Sequence, residues 1–247
     1  MIKKYGFSFI LLILFFSSLF FSPLTASATP ERDEGPIEKS DVEDDAGLMK
    51  RENITNFSAT TQDGAFKIFL DPGHGGSDPG AQSNGLNEKD VVLDIALKTK
   101  EVLDNEYAGV ETKLSRSTDT FVELEDRAKM ANDWGADYFT SFHLNSFDGT
   151  ASGFESYIYN GAVSDETKTR QLHIHTYLGD RLEVNDRGRK QANFSVLRNT
   201  AMPALLLEYL FIDNPEENAL LKKQSYRDYL GTLTADAIAD TYDLDKK

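Results

Sequence analysis

The sequence predicts an α/β domain: a single twisted, mixed but mostly parallel β-sheet of about six strands, flanked by helices. Two observations carry this prediction. From Ala65 to Lys247, short runs rich in β-branched and aromatic residues alternate with longer amphipathic stretches, the order in which strands and covering helices follow one another in such folds. No segment repeats along that span, so it reads as one domain of ordinary size.

The strands expected are Phe66–Leu70, Val110–Ser115, Tyr138–His143, Gly153–Tyr159, Phe194–Leu197 and Ala204–Tyr209. The helices expected are Glu88–Asn105, Phe121–Trp134, Val163–Leu182, Glu216–Gln224 and Tyr226–Tyr242. In the first of these helices Val91, Val92, Ile95, Ala96, Thr99, Val102 and Leu103 form one stripe, which must face the sheet.

Residues 1–28 have the form of a cleaved signal peptide, with Lys3 and Lys4, an apolar run from about Phe7 to Phe21, and Ala26-Ser27-Ala28 as a small-x-small cleavage site. A retained anchor is the alternative, but the run falls short of the ~20 residues that span a bilayer. The chain has no cysteine, which excludes a lipoprotein anchor, disulfides and thiolate metal sites. Residues 29–64 are rich in charge, Ser, Thr and Asn and are expected to form an acidic flexible linker, with an inhibitory pro-segment as the alternative. Asp and Glu number 41 against 26 Lys and Arg, a net charge of -15, and loss of Lys3 and Lys4 with the leader takes it to -17. An acidic exported protein is a poor ligand for nucleic acid or an anionic membrane, both of which need basic surfaces. Nothing in the sequence points beyond a monomer.

The chemistry gathers around a few residues. Ile68 to Ala81 reads IFLDPGHGGSDPGA, with His74, one of only four histidines, at its centre. The glycine turn is neither a dinucleotide fingerprint nor a P-loop, because G-x-G-x-x-G counted from Gly73 ends on Asp78 and no Gly-Lys-Ser/Thr follows. A second histidine, His143, ends the run YFTSFH. If the two strands are parallel, both imidazoles reach the same sheet edge, where ligands of open α/β sheets bind. Glu88, in GLNEKDVV, begins a helix between them; its plainer reading is an acid favoured by the helix dipole. Glu208 follows Leu205, Leu206 and Leu207 at the end of the most apolar strand. A carboxylate there needs a metal, a proton-transfer role or a partner, since burying it unpaired is costly. Two histidines and a glutamate are the ligand set of a catalytic zinc site with an open position for water, and a further carboxylate would move that water's proton. Each residue also has an ordinary structural reading, so the hypothesis stands on the set.

The ordered pieces DPGHGGSDPGA, NEKD, SRSTD, ELEDRAKMAN, SFHLNS, GFESYIY and VLRNTAMPALLLEYLFIDNPEE closely resemble the zinc-dependent N-acetylmuramoyl-L-alanine amidases of the Amidase_3 type, over roughly Lys67 to Ala239. The resemblance implies one zinc ion on His74, Glu88 and His143, with Glu208 as the catalytic acid/base. It also implies peptidoglycan as substrate, cut between the lactyl group of N-acetylmuramic acid and L-alanine of the stem peptide at or outside the cell wall. The family's E-x-G-F pattern departs here to Glu208-Tyr209-Leu210-Phe211. Leucine tolerates a positive φ poorly, so a rearranged turn is expected. That departure leaves room for an impaired wall-binding or regulatory protein, and a zinc deacetylase or carboxypeptidase is the other alternative. Asn145 and Arg187 are candidate substrate contacts, Arg187 from a polar loop and toward a stem-peptide carboxylate. Asp71 and Asp78 are candidate acceptors from the zinc histidines, and Arg127 and Asn132 are assigned to helix packing or hydrogen bonding. His173 and His175 are expected on a solvated helix surface.

Overall fold

The computed structural model describes residues 64–247. The expected signal peptide (1–28) and all but the last residue of the expected linker (29–64) lie outside the described residues.

Six strands form the sheet: β1 (Phe66–Pro72), β4 (Val110–Leu114), β5 (Tyr138–Asn145), β6 (Phe154–Tyr159), β7 (Asp186–Ala192) and β8 (Ala204–Phe211). Their order is β4-β1-β5-β8-β6-β7. The first four of that order run parallel; β6 is antiparallel to β8, and β7 parallel to β6. The sheet is therefore mixed and mostly parallel. A two-residue hairpin, β2 (Gln82–Ser83) and β3 (Leu86–Asn87), stands apart.

The helices are α1 (Glu88–Glu106), α2 (Leu124–Trp134), α3 (Asp165–Gly179), α4 (Ser195–Arg198), α5 (Pro215–Leu221) and α6 (Gln224–Tyr242). The whole predicted stripe of α1, from Val91 to Leu103, is buried. Alternation along the strands divides the core in two. Ile68, Leu70, Tyr138, Phe142, Leu205, Leu207 and Tyr209 join α1, α3 and α6 in the larger cluster, whereas Phe69, Phe139 and Leu206 join residues of α2 and α4 in the smaller.

One expected strand is wrong, and one strand was missed. Phe194–Leu197 is mostly the short helix α4, whose Val196 and Leu197 fill the smaller cluster; an apolar run of four reads equally as strand or buried helix. The sixth strand is instead β7, DRGRKQA. Among the described residues it is an edge strand paired only with β6, and Lys and Arg suit such an edge. Among the described residues, no helix is long and apolar enough to cross a membrane.

Candidate metal centre and active site

β1, β5 and β8 are parallel neighbours, so their carboxyl ends share one edge. The loop after β1 carries His74, β5 carries His143, and α1 begins with Glu88. The two imidazoles lie edge to face, 5.0 Å between centroids. His74 Nε2 is 3.1 Å and His143 Nδ1 3.0 Å from the same oxygen, Glu88 Oε1. One ligand atom from each of the three residues falls within 4.8 Å of the others. Two imidazoles and a carboxylate suit zinc and leave one tetrahedral position open, so the group can hold one metal ion.

Local sequence explains the convergence. Gly73 and Gly80 are required for close approach: a Cβ on Gly73 would lie 2.3 Å from His143 Cε1, and one on Gly80 2.7 Å from both Glu88 Oε2 and His74 Cδ2. His74 itself has φ 58°, a left-handed conformation uncommon for a side-chain-bearing residue. Asp78 Oδ2 lies 2.7 Å from His74 Nδ1, which leaves Nε2 to face the group. Glu88 accepts hydrogen bonds from the backbone amides of Ala81 (2.9 Å) and Leu144 (3.0 Å). Burial pushes the Glu88 carboxyl up, but both histidines outweigh it and hold the group well below the usual carboxylate range. Burial also pushes His74 down, and Glu88 and Asp78 reverse the direction. Of the two aspartates considered as acceptors, only Asp78 meets a histidine; Asp71 is fully buried and binds Ser115, Ser141 and Arg127 instead.

Glu208 is the register partner of His143 on β5 and of Glu155 on β6, and residues opposed in a ladder share a face. The structure thus brings Glu208 beside the metal group. β8 runs on through Leu210 to Phe211, so Glu208 is not at its end. Leu210 is buried in that strand and has no positive φ, so the expected turn is a continuous strand in which leucine is unstrained.

Arg187 lies on β7 rather than in a loop. Its Nε donates to Glu155 Oε1, its guanidinium lies 4.9 Å from the Phe211 ring centroid, and Lys190 Nζ approaches Glu155 Oε2 at 2.9 Å. Burial pushes the Glu155 carboxyl up, but Tyr157, Arg187 and Lys190 outweigh it and keep it below the usual range. Sequence reading did not single out Glu155. Its signal was the one that drew attention to Glu208, a glutamate inside an apolar strand, here GFESYIY. Asn145 Nδ2 is buried without a hydrogen-bond partner, on the strand that carries His143. Asn132 has the hydrogen-bonding role expected of it, binding Asn199 O and the Ala201 amide at 2.8 and 2.9 Å.

His175 corrects an expectation. It is buried, 4% exposed, with Ser156 Oγ and Asp186 Oδ1 each 2.9 Å from a ring nitrogen. Helical spacing put His173 and His175 on different faces; α3 turns the second toward the sheet, where it stacks on Phe154.

The fold and this donor set define a class: an α/β enzyme domain with a histidine/glutamate group able to hold a metal ion at the carboxyl edge of its sheet. Residues 68–240 match the family model described as N-acetylmuramoyl-L-alanine amidase. The sporulation-specific N-acetylmuramoyl-L-alanine amidase of Bacillus subtilis is 50% identical over 180 residues, covering 73% of this chain and 69% of that protein. The N-acetylmuramoyl-L-alanine amidase CwlM of Bacillus licheniformis is 46% identical over 180 residues, covering 73% and 70%. Among solved structures, an N-acetylmuramoyl-L-alanine amidase from Clostridium difficile 630 superposes with a TM-score of 0.69 at 34% identity, covering 72% of this chain and 97% of that one. The catalytic domain of CwlV from Bacillus (Paenibacillus) polymyxa var. colistinus gives 0.68 at 34% identity, covering 72% and 99%. The chain belongs to the N-acetylmuramoyl-L-alanine amidase family.

Proposed function

We propose that this amidase releases stem peptides from peptidoglycan outside the cell, with one zinc ion held by His74, Glu88 and His143 and with Glu208 moving the proton. The observation that carries the reading is the approach of both imidazoles to Glu88 Oε1, at 3.1 and 3.0 Å, beside the register partner of His143, Glu208. Bound there, zinc supplies Lewis acidity to water and to the scissile carbonyl. Glu208 accepts the proton of the attacking water and delivers it to the leaving nitrogen of L-alanine. Asp78 holds His74 in the tautomer that turns Nε2 toward the group. Asn145, half-buried on the strand that carries His143, offers its side-chain oxygen to a substrate amide. Arg187, anchored through Nε to Glu155, turns its remaining donors to a stem-peptide carboxylate. Residues 1–28 serve as export signal and 29–64 as linker ahead of a monomeric catalytic domain at 65–247.

The test is digestion of purified peptidoglycan by residues 29–247, with zinc and with chelator, products read by mass spectrometry. Peptides beginning with L-alanine, released only by the zinc-loaded protein, support the reading. Loss of acetyl groups with peptides still attached replaces it with deacetylation.

A further inference from the structure

Two buried arginines enclose the loop that bears His74. Arg116 Nε donates to Pro72 O at 3.0 Å and its Nη2 to Gly73 O at 2.7 Å. Arg127 Nη1 donates to Pro72 O at 2.8 Å and its Nη2 to His74 O at 2.6 Å. Three consecutive carbonyls therefore end on the guanidinium groups of two arginines that are 4% and 2% exposed as residues.

The network reaches beyond that loop. Arg116 Nη2 also donates to Lys89 O at 2.8 Å, one residue past Glu88. Arg127 Nη1 is paired with Asp71 Oδ1 at 2.9 Å. Asp71 in turn accepts from Ser115 Oγ at 2.6 Å and from Ser141 Oγ at 2.8 Å. Ser141 precedes His143 by two residues on β5, on the same face. Every member of the metal group is thus gripped at its own backbone or at a residue one or two positions away.

We infer that Arg116, Arg127 and Asp71 act as positioning residues that preset the three ligands before metal arrives. The backbone of His74 shows why such a device is needed. A histidine at φ 58° is in a region that L-residues leave unless their surroundings hold them there, and the carbonyl that would swing on release is the one bound by Arg127. The planar fork of arginine reaches two or three acceptors at once, which a lysine ammonium on a flexible stem cannot reproduce. Arg127 therefore does more than pack α2 against the sheet. Its loss frees the ligand loop while the apolar core under α2, built by Phe69, Ala131, Phe139 and Val196, stays in place.

This inference rests on His74, Glu88 and His143 being the metal ligands, and the test separates the two. Zinc affinity is measured by competition with a chromophoric chelator for wild type, Arg127→Lys, Arg116→Lys, Ser141→Ala and His74→Ala. Circular dichroism and the melting temperature of each metal-free protein are recorded alongside, as is the visible spectrum of each cobalt-loaded form. Arg127→Lys and Arg116→Lys are expected to weaken zinc binding about 10- to 100-fold, the usual effect of losing a residue that orients a ligand, with metal-free circular dichroism unchanged and cobalt bands displaced. Wild-type affinity and wild-type cobalt bands in the folded arginine variants overturn the inference. If either lysine variant fails to fold, Ser141→Ala decides, since it removes one hydroxyl from Asp71 and is expected to weaken zinc binding in the same direction. Wild-type affinity in His74→Ala overturns the ligand assignment, and the positioning role with it.

Discussion

His143 on β5 and Glu208 on β8 are partners in one parallel ladder. The separation between an imidazole of the metal group and the neighbouring carboxylate is therefore set by two paired strands whose lower halves are wholly buried. A pair built that way keeps its spacing without help from a mobile loop, the kind of fixed geometry that a group taking a proton from water needs.

Glu208→Gln is expected to lose about 10²- to 10⁴-fold in turnover, the range for removing a general acid/base, while zinc affinity stays at the wild-type value. Glycan release assays and chelator competition on the same preparation check both. Loss of zinc in the variant would make Glu208 a ligand instead.

Asn145→Ala is expected to lower kcat/KM about 3- to 10-fold, the worth of one hydrogen bond, with no loss of stability. The reason is that Nδ2 already lacks a partner inside the protein, so truncation breaks nothing there. Steady-state kinetics on a soluble muramyl-peptide and a thermal melt measure the two effects.

Gly73→Ala places a methyl 2.3 Å from His143 Cε1, and backbone and ring must part. A destabilisation of about 1–3 kcal/mol, typical of overpacking, is expected together with weaker zinc binding. Denaturant unfolding of the metal-free protein and zinc titration report each. Unchanged zinc affinity would show that the ring has slack that the geometry does not suggest.

Burial, working against nearby Asp186, pushes His175 below its ordinary 6.5. The unfolded chain then takes up the proton first as pH falls. The stability contributed by neutral His175 is complete above 6.5 and is lost as pH drops through the folded value. The melting temperature of the wild type is expected to fall more steeply from pH 7 to pH 5 than that of His175→Asn. Parallel curves would remove the role.

Much of this was legible in the chain. The α1 stripe declared its buried face because period 3.6 leaves one solution, and all of its residues are buried. His74, His143 and Glu208 stood out because their residue types fit poorly where they occur, among glycines or after apolar runs, and Glu88 was drawn in by lying between the two histidines at a helix start. Arg187 and His175 were misplaced because local pattern carries no information about edges and covering faces. DRGRKQA has no apolar alternation, since an edge strand needs only one hydrogen-bonded neighbour and its side chains reach water. Likewise, the spacing of His173 and His175 says that they part, but not which of them the sheet will cover.

The sequence by itself determined the alternation of strands and helices, the glycines that let imidazoles and carboxylate approach, and which donors were available with no cysteine in the chain. Only the tertiary structure decided that these donors meet around one oxygen of Glu88. It also decided that Arg116 and Arg127 hold the backbone beneath them, and that Glu155 lies opposite Glu208 and holds Arg187 and Lys190. The physical reason is range. Periodicity and turn chemistry act over a few residues, whereas each of these contacts depends on which strands lie side by side, and strand order is settled by burial of the whole sheet between its two helical layers.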